Sequence, residues 1–246
     1  MDVSKVKALV FDVFGTVVDW RRTVVAELSA FGAERGWVAE WGRFADRWRL
    51  EGYIDAMKRV NDSSLPWLTV DELHRIKLEE LLAEHGFAVT QAELAHLVTI
   101  WHRLEPFPDA VEGIGRLKRH YLVATLSNGN MALLTNMAKR AGLPWDCVLS
   151  AELFRRYKPD PVTYRGAAAF LGCAPEEVML VASHTSDLEG ARRAGLATAF
   201  VGRPEQWGIG GPLEPPPESP FEVMARDFLD LDLKLRMATV PAFGTH

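Results

Sequence analysis

A series of short apolar runs, each stopping at a small or polar residue, limits the possible folds most sharply. Residues 6–11 (VKALVF) stop at Asp12 and are followed by Gly15 and Thr16. Tyr121 to Leu126 stops at Ser127-Asn128-Gly129, Val178 to Val181 at Ala182-Ser183-His184, and Ala197 to Val201 at Gly202-Arg203-Pro204. Runs of this length suit strands buried on both faces that open into loops at their carboxyl ends. Helical patterns fill the gaps at 109–119, 130–141, 161–171 and 187–194, and this alternation implies βαβ units around a parallel sheet. Phe221 to Arg226 is expected to add an edge strand, with a helix after it. Ligands of such sheets bind outside the carboxyl ends of the strands. Asp12, Ser127 and the 182–187 loop are therefore expected to converge.

One segment interrupts the alternation. From about Trp20 to Leu104 only helical periodicity is evident, punctuated by Gly36, Asn61-Asp62-Ser63-Ser64, Pro66 and Gly86. Thr69-x-x-Glu72 and Thr90-x-x-Glu93 have the form of capping boxes at two helix starts. Glu105-Pro106-Phe107-Pro108 returns the chain to the sheet. The simplest reading is an α/β fold with a Rossmann-like parallel-sheet core, residues 1–18 plus 105–240, and an inserted four-helix cap, residues 19–104. The alternative, helices packed on the sheet in one domain, buries so long a strandless segment poorly. Trp20, Trp37, Trp41, Trp48, Trp67 and Trp101 are expected in the cap's core and its seam with the sheet, one or two of them lining a pocket. Gly208 to Pro212 and Pro215 to Pro217 are expected as surface loop, and residues 241–246 as a disordered tail.

Composition narrows the partners. The net charge of -5 over 246 residues argues against a nucleic-acid partner, which a basic stripe would announce. No run approaches the ~18 apolar residues of a membrane span, and MDVSKVKALVFDVFG is too acidic and too briefly apolar for a signal peptide. Cys147 and Cys173 form no disulfide framework or metal-ligand spacing. A cytoplasmic protein without cofactor is the expectation.

Phe11-Asp12-Val13-Phe14-Gly15-Thr16, Ser127-Asn128-Gly129, Lys158-Pro159-Asp160 and Asp187-x-x-Gly190-Ala191-Arg192 occur in this order, each at a predicted strand end or helix start. Together they resemble the haloacid dehalogenase superfamily, and within it the L-2-haloacid dehalogenase branch, over nearly the whole chain. Two departures from the superfamily's phosphatases carry information. Where those have a second Asp as general acid, this chain has Phe14, and losing that acid would forfeit ~10²–10⁴ in rate. A halide leaves as a stable anion and needs no proton. Where phosphatases add a carboxylate to hold Mg²⁺, this chain has Ser183, and a hard dication prefers several charged oxygens. The expectation is therefore no metal.

The resemblance implies hydrolysis of (S)-2-haloacids to 2-hydroxy acids, with water as the second reactant. Asp12 would be the nucleophile, forming an ester that water cleaves. Thr16 would fix its rotamer and Lys158 neutralise it. Arg49 would bind halide, with Arg43 and Arg47 as rivals. Val13, Phe14, Ser127 and Asn128 would hold substrate, although Ser-Asn-Gly also suits a plain turn. Tyr164 falls where the family has an active-site tyrosine, or packs the core. His184 either positions the hydrolytic water alongside Asp187 or merely fills the pocket; the other histidines are expected on the surface. Ser186 and His184 together suggest a small polar pocket that could release fluoride. The family's cap also suggests a homodimer. Competing readings are a ring-opening hydrolase of azetidine-carboxylate type, a phosphatase of the same fold, and a non-catalytic binding protein.

Overall fold

The computed structural model describes residues 2–212, 214 and 220–239. The expected Pro215–Pro217 loop and the 241–246 tail lie outside these residues. Among the described residues the sheet has five strands: β1 (Ala8–Phe11), β2 (Leu122–Thr125), β3 (Val178–Ala182), β4 (Ala197–Val201) and β5 (Val223–Ala225). All pair in parallel in the order β2-β1-β3-β4-β5. Phe11 is level with Thr125 on one side and Val181 on the other, so β1, β2 and β3 end at the same height. The chain leaves β1 toward β2 and later returns to β1's other flank as β3. The crevice of the sheet therefore opens above the end of β1, where the connections diverge.

From Trp20 to Arg103 all regular structure is helical. It forms four rods: α1 (Trp20–Glu34); α2 (Trp41–Arg49) continued by a π-helical turn (Leu50–Ile54) and α3 (Asp55–Asn61); α4 (Val70–Glu84); and α5 (Gln91–Val98) with a 3₁₀ extension to Arg103. Both capping boxes form: Thr69 Oγ1 accepts from Glu72 N–H while Glu72 accepts from Thr69 N–H, and Thr90 and Glu93 repeat the arrangement. Each such cap contributes about 1 kcal/mol. The π turn was not foreseen. Gly52 lies within it, and a Cβ there would come 2.4 Å from Lys77 Cβ on α4, so the missing side chain lets the widened turn close on its neighbour.

The remaining helices are α6 (Ala110–Leu117), α7 (Met131–Ala141), α8 (Pro161–Phe170), α9 (Thr185–Ala194) and α10 (Phe228–Thr239). Alternation along β1 sorts the layers. Leu9 and Phe11 join a cluster with Ile114, Leu133 and Phe228, which continues without a break into Trp20, Trp48 and Trp101 of the helical insertion. Ala8 and Val10 face Tyr164, Ala167, Leu188 and Ala191 on the other side. Helices thus cover both faces, as strands apolar on both faces require. One histidine departs from expectation: His74 is fully buried, stacked between Trp101 (4.0 Å between ring centres) and Tyr53 (5.4 Å). Its neighbours are aromatic because it faces the interior of the insertion, a placement that periodicity on α4 left open.

Candidate active site

Asp12 follows β1 directly, its backbone N–H held by Val181 O of β3 at 3.0 Å. Its carboxylate receives three side chains, one from the following turn and two from distant parts of the chain. Thr16 Oγ1 donates to Oδ2 at 2.8 Å, and Lys158 Nζ donates to Oδ1 at 3.0 Å. His184 Nδ1 faces Oδ2 at 3.0 Å. The Thr16 hydroxyl also accepts Ser183 N–H at 3.0 Å, so its own proton is committed to Asp12. Burial would push the Asp12 carboxyl upward, but Lys158, His184 and Thr16 outweigh it and hold the group well below the usual carboxylate range. Asp12 is thus an anion at any ordinary pH.

Lys158 also donates to Asp187 Oδ2 at 2.5 Å, so one ammonium bridges two carboxylates. Burial opposes its charge, and the two carboxylates raise its pKa regardless. Tyr164 donates to Asp187 Oδ1 at 2.5 Å. Burial, with the Asp12 charge nearby, pushes Asp187 upward against the pull of Lys158. Two carboxylates joined by one cation are therefore driven apart in acidity, an arrangement that separates a nucleophile from a proton acceptor. Asp187 lies in the first turn of α9, which starts two residues earlier than the sequence pattern suggests.

Arg49 ends α2 on the far side of the cavity and is buried, 3% exposed. Its guanidinium lies over Trp20 (4.6 Å), Tyr53 (5.5 Å) and Trp207 (5.7 Å), and Nη2 donates to Phe14 O at 3.4 Å. Nε and Nη1 have no hydrogen-bond partner among the described residues. A buried cation with unused donors is costly unless an anion completes it. Its sequence rivals lie away from the cavity: Arg43 is exposed, and Arg47 is paired with Glu51 and Glu84. A cavity of ≈ 260 Å³ lies between Arg49 and Asp12, and Phe14, Asn128, Lys158, His184 and Asp187 also line it.

A family model of haloacid dehalogenase-like hydrolases matches residues 6–195. The chain belongs to this family. It is 32% identical to (S)-2-haloacid dehalogenase 4A of Burkholderia cepacia, over 82% of this chain and 85% of that one. Among solved structures, the L-2-haloacid dehalogenase PA0810 is similar at 44% identity with a TM-score of 0.90, covering 94% of this chain and 99% of that chain. The defluorinating L-2-haloacid dehalogenase Rha0230 is similar at 40% identity with a TM-score of 0.90, covering 94% and 95%.

In this haloacid dehalogenase-like hydrolase the donor set does not fit a divalent ion. Ser183 Oγ donates to Val201 O at 2.7 Å, and the Lys158 ammonium already joins Asp12 to Asp187. Other expected site residues take plainer positions. Val13 is packed in the apolar cluster, and Ser127 Oγ accepts Gly129 N–H at 3.2 Å within its own turn; neither side chain lines the cavity. Asn128 does line it, and its Oδ1 accepts Lys158 N–H at 2.7 Å, aiming the lysine. Phe14 packs edge-on to Tyr53 and Trp101.

The six tryptophans of residues 20–101 do not line the cavity; Trp207, from the loop after β4, does. Sequence reasoning missed Trp207 and also Tyr53, Met57 and Asn61, which line the cavity. The last three had a signal. Arg49, Tyr53, Met57 and Asn61 recur every four residues along one helix face. Trp207 and its neighbour Gln206 had none, because an irregular loop has no period.

Proposed function

We propose that this chain is an (S)-2-haloacid dehalogenase that works through an ester on Asp12. Asp12 attacks the α-carbon, the carbon–halogen bond breaks, and the halide leaves toward Arg49. Water, activated by Asp187, then attacks the Asp12 carboxyl carbon and frees the 2-hydroxy acid. The observation that carries this reading is an ionised carboxylate facing a buried guanidinium with unused donors across one cavity. Such a pair suits a reaction that passes negative charge from nucleophile to leaving group. The helical insertion acts as a cap that brings Arg49 to the sheet. A cytoplasmic homodimer belongs to the same reading, and sedimentation would test the dimer.

L-2-chloropropionate is expected to release chloride in the presence of EDTA, and D-2-chloropropionate is not. Equal rates for the two enantiomers, or loss of turnover on chelation, would count against the proposal. Fluoroacetate is the demanding member of the series, and likeness to the defluorinating Rha0230 supports including it. Fluoride release no faster than background would remove it.

Arg49→Lys should lower halide release by ~10²–10³-fold, since a compact ammonium cannot replace a planar fork stacked on aromatic rings. Steady-state rates with a halide electrode would show this. A comparable loss in Arg47→Ala with little change in Arg49→Lys would move the role to Arg47.

A further inference from the structure

Gln206, 2% exposed, reaches the site from the loop after β4. Its Oε1 lies 2.9 Å from His184 Nε2, on the side of the ring opposite Asp12. The loop is tied to the nucleophile's own turn: Gln206 N–H donates to Arg203 O at 3.2 Å, and Arg203 Nε donates to Thr16 O at 2.8 Å. Asp109 fixes the same guanidinium at 2.8 and 2.9 Å. Gly15 leaves the room, since its φ is +80° and a Cβ there would lie 2.4 Å from Gln206 Oε1 and 3.4 Å from the His184 ring.

Proton positions give this contact a purpose. An ionised carboxylate oxygen offers about two lone-pair directions. On Asp12, Oδ2 spends both, one on Thr16 and one on His184, whereas Oδ1 has, among the described residues, Lys158 alone. Oδ1 therefore keeps a free pair for carbon, and Oδ2 becomes the carbonyl oxygen of the ester. With Asp12 ionised, His184 Nδ1 must be a donor, and the carbonyl-type oxygen of Gln206 requires Nε2 to be one as well.

We propose that Gln206 is a positioning residue for the second half of the reaction: by accepting Nε2–H of His184 it holds Nδ1–H on Asp12 Oδ2, where the oxyanion forms when water attacks. In that step the water oxygen bonds to Asp12 Cγ, the C=O pair moves onto Oδ2, and one water proton passes to Asp187. Collapse breaks the Cγ–Oδ1 bond, the departing oxygen takes the proton from Asp187, and Asp12 re-ionises by losing the second water proton to solvent. Thr16 and His184 stabilise the transient charge. Asp12 and Glu214 favour the charged imidazole and Arg49 opposes it, with Lys158 and Asp187 lining the same cavity; despite burial, the balance raises the His184 pKa.

This inference rests on the ester reading above, and rapid-quench single turnovers with L-2-chloropropionate separate the two. The Gln206→Leu variant should release chloride in the first turnover at nearly the native rate while ester hydrolysis slows by ~10²-fold. The covalent adduct then accumulates by intact mass, and kcat and KM fall together. Gln206→Glu, which retains an acceptor, should recover most of the hydrolysis rate and move its alkaline limb to higher pH, because a carboxylate holds the imidazolium more firmly. Native hydrolysis in the Gln206→Leu variant, equal slowing of both steps, or a Gln206→Glu variant no better than Gln206→Leu would overturn the role of Gln206. If the Gln206→Leu variant does not fold, an unmoved alkaline limb in Gln206→Glu would overturn it too. Absence of any adduct in the native enzyme would instead defeat the ester reading itself.

Discussion

Asp12→Asn is expected to abolish halide release, with a loss on the order of 10⁵–10⁶-fold, the scale seen when a covalent nucleophile is removed. The amide nearly matches the carboxylate in shape, so Thr16 retains an acceptor, while the attacking anion is gone. Lys158 keeps Asp187 as a partner, and the fold should persist. The companion measurement is a single turnover of native enzyme in water enriched in heavy oxygen. The first hydroxy acid should carry an unlabelled oxygen taken from Asp12, and the protein should acquire the label. Labelled product in the first turnover would mean that water attacks the substrate directly, with Asp12 as a base.

Lys158→Met should disable turnover and also destabilise the protein. Its ammonium is the shared partner of two buried carboxylates, 3.0 Å from Asp12 and 2.5 Å from Asp187. Removing one partner of a buried ion pair costs about 3–5 kcal/mol. The sign of the pH dependence follows from Asp12, whose folded pKa lies below its unfolded value in the native protein. Such a group stabilises the fold above the unfolded carboxylate pKa of about 4, and this contribution is lost as pH falls toward the folded value. The difference in stability between native and Lys158→Met chains should thus be largest near neutrality and shrink on acidification. Denaturant unfolding at several pH values would measure it. Adding Asp187→Asn should restore part of the stability and none of the activity; a double variant no more stable than the single one would show that the bridge is not what Lys158 provides.

Much of the sheet was legible because its strands have only one use for their residues. VKALVF is apolar wherever it is buried on both faces, and Asp12 appears where the strand ends. The capping boxes at Thr69 and Thr90 were legible for a local reason: four consecutive residues suffice to satisfy two helix-end N–H groups. His74 was not, since a histidine on an amphipathic helix can face either way. The start of α9 was misjudged because Thr185 and Ser186 read as loop, although the helix begins at Thr185 and Asp187 sits in its first turn. Trp207 was the largest omission. Its loop lacks periodicity, and what gives the residue a role is stacking near Arg49, more than a hundred and fifty positions away along the chain.

The amino-acid order alone determined the parallel sheet, the strandless insertion, and which carboxylate stands at the end of the first strand, because each depends on residues that are neighbours or repeat at a fixed period. Tertiary packing decided the rest. It chose Arg49 over Arg47 by burying one guanidinium among aromatic rings and leaving the other to surface carboxylates. It also set the protons, since whether Asp12, Asp187 and His184 carry charge depends on distances of about 3 Å between groups that the chain itself holds far apart.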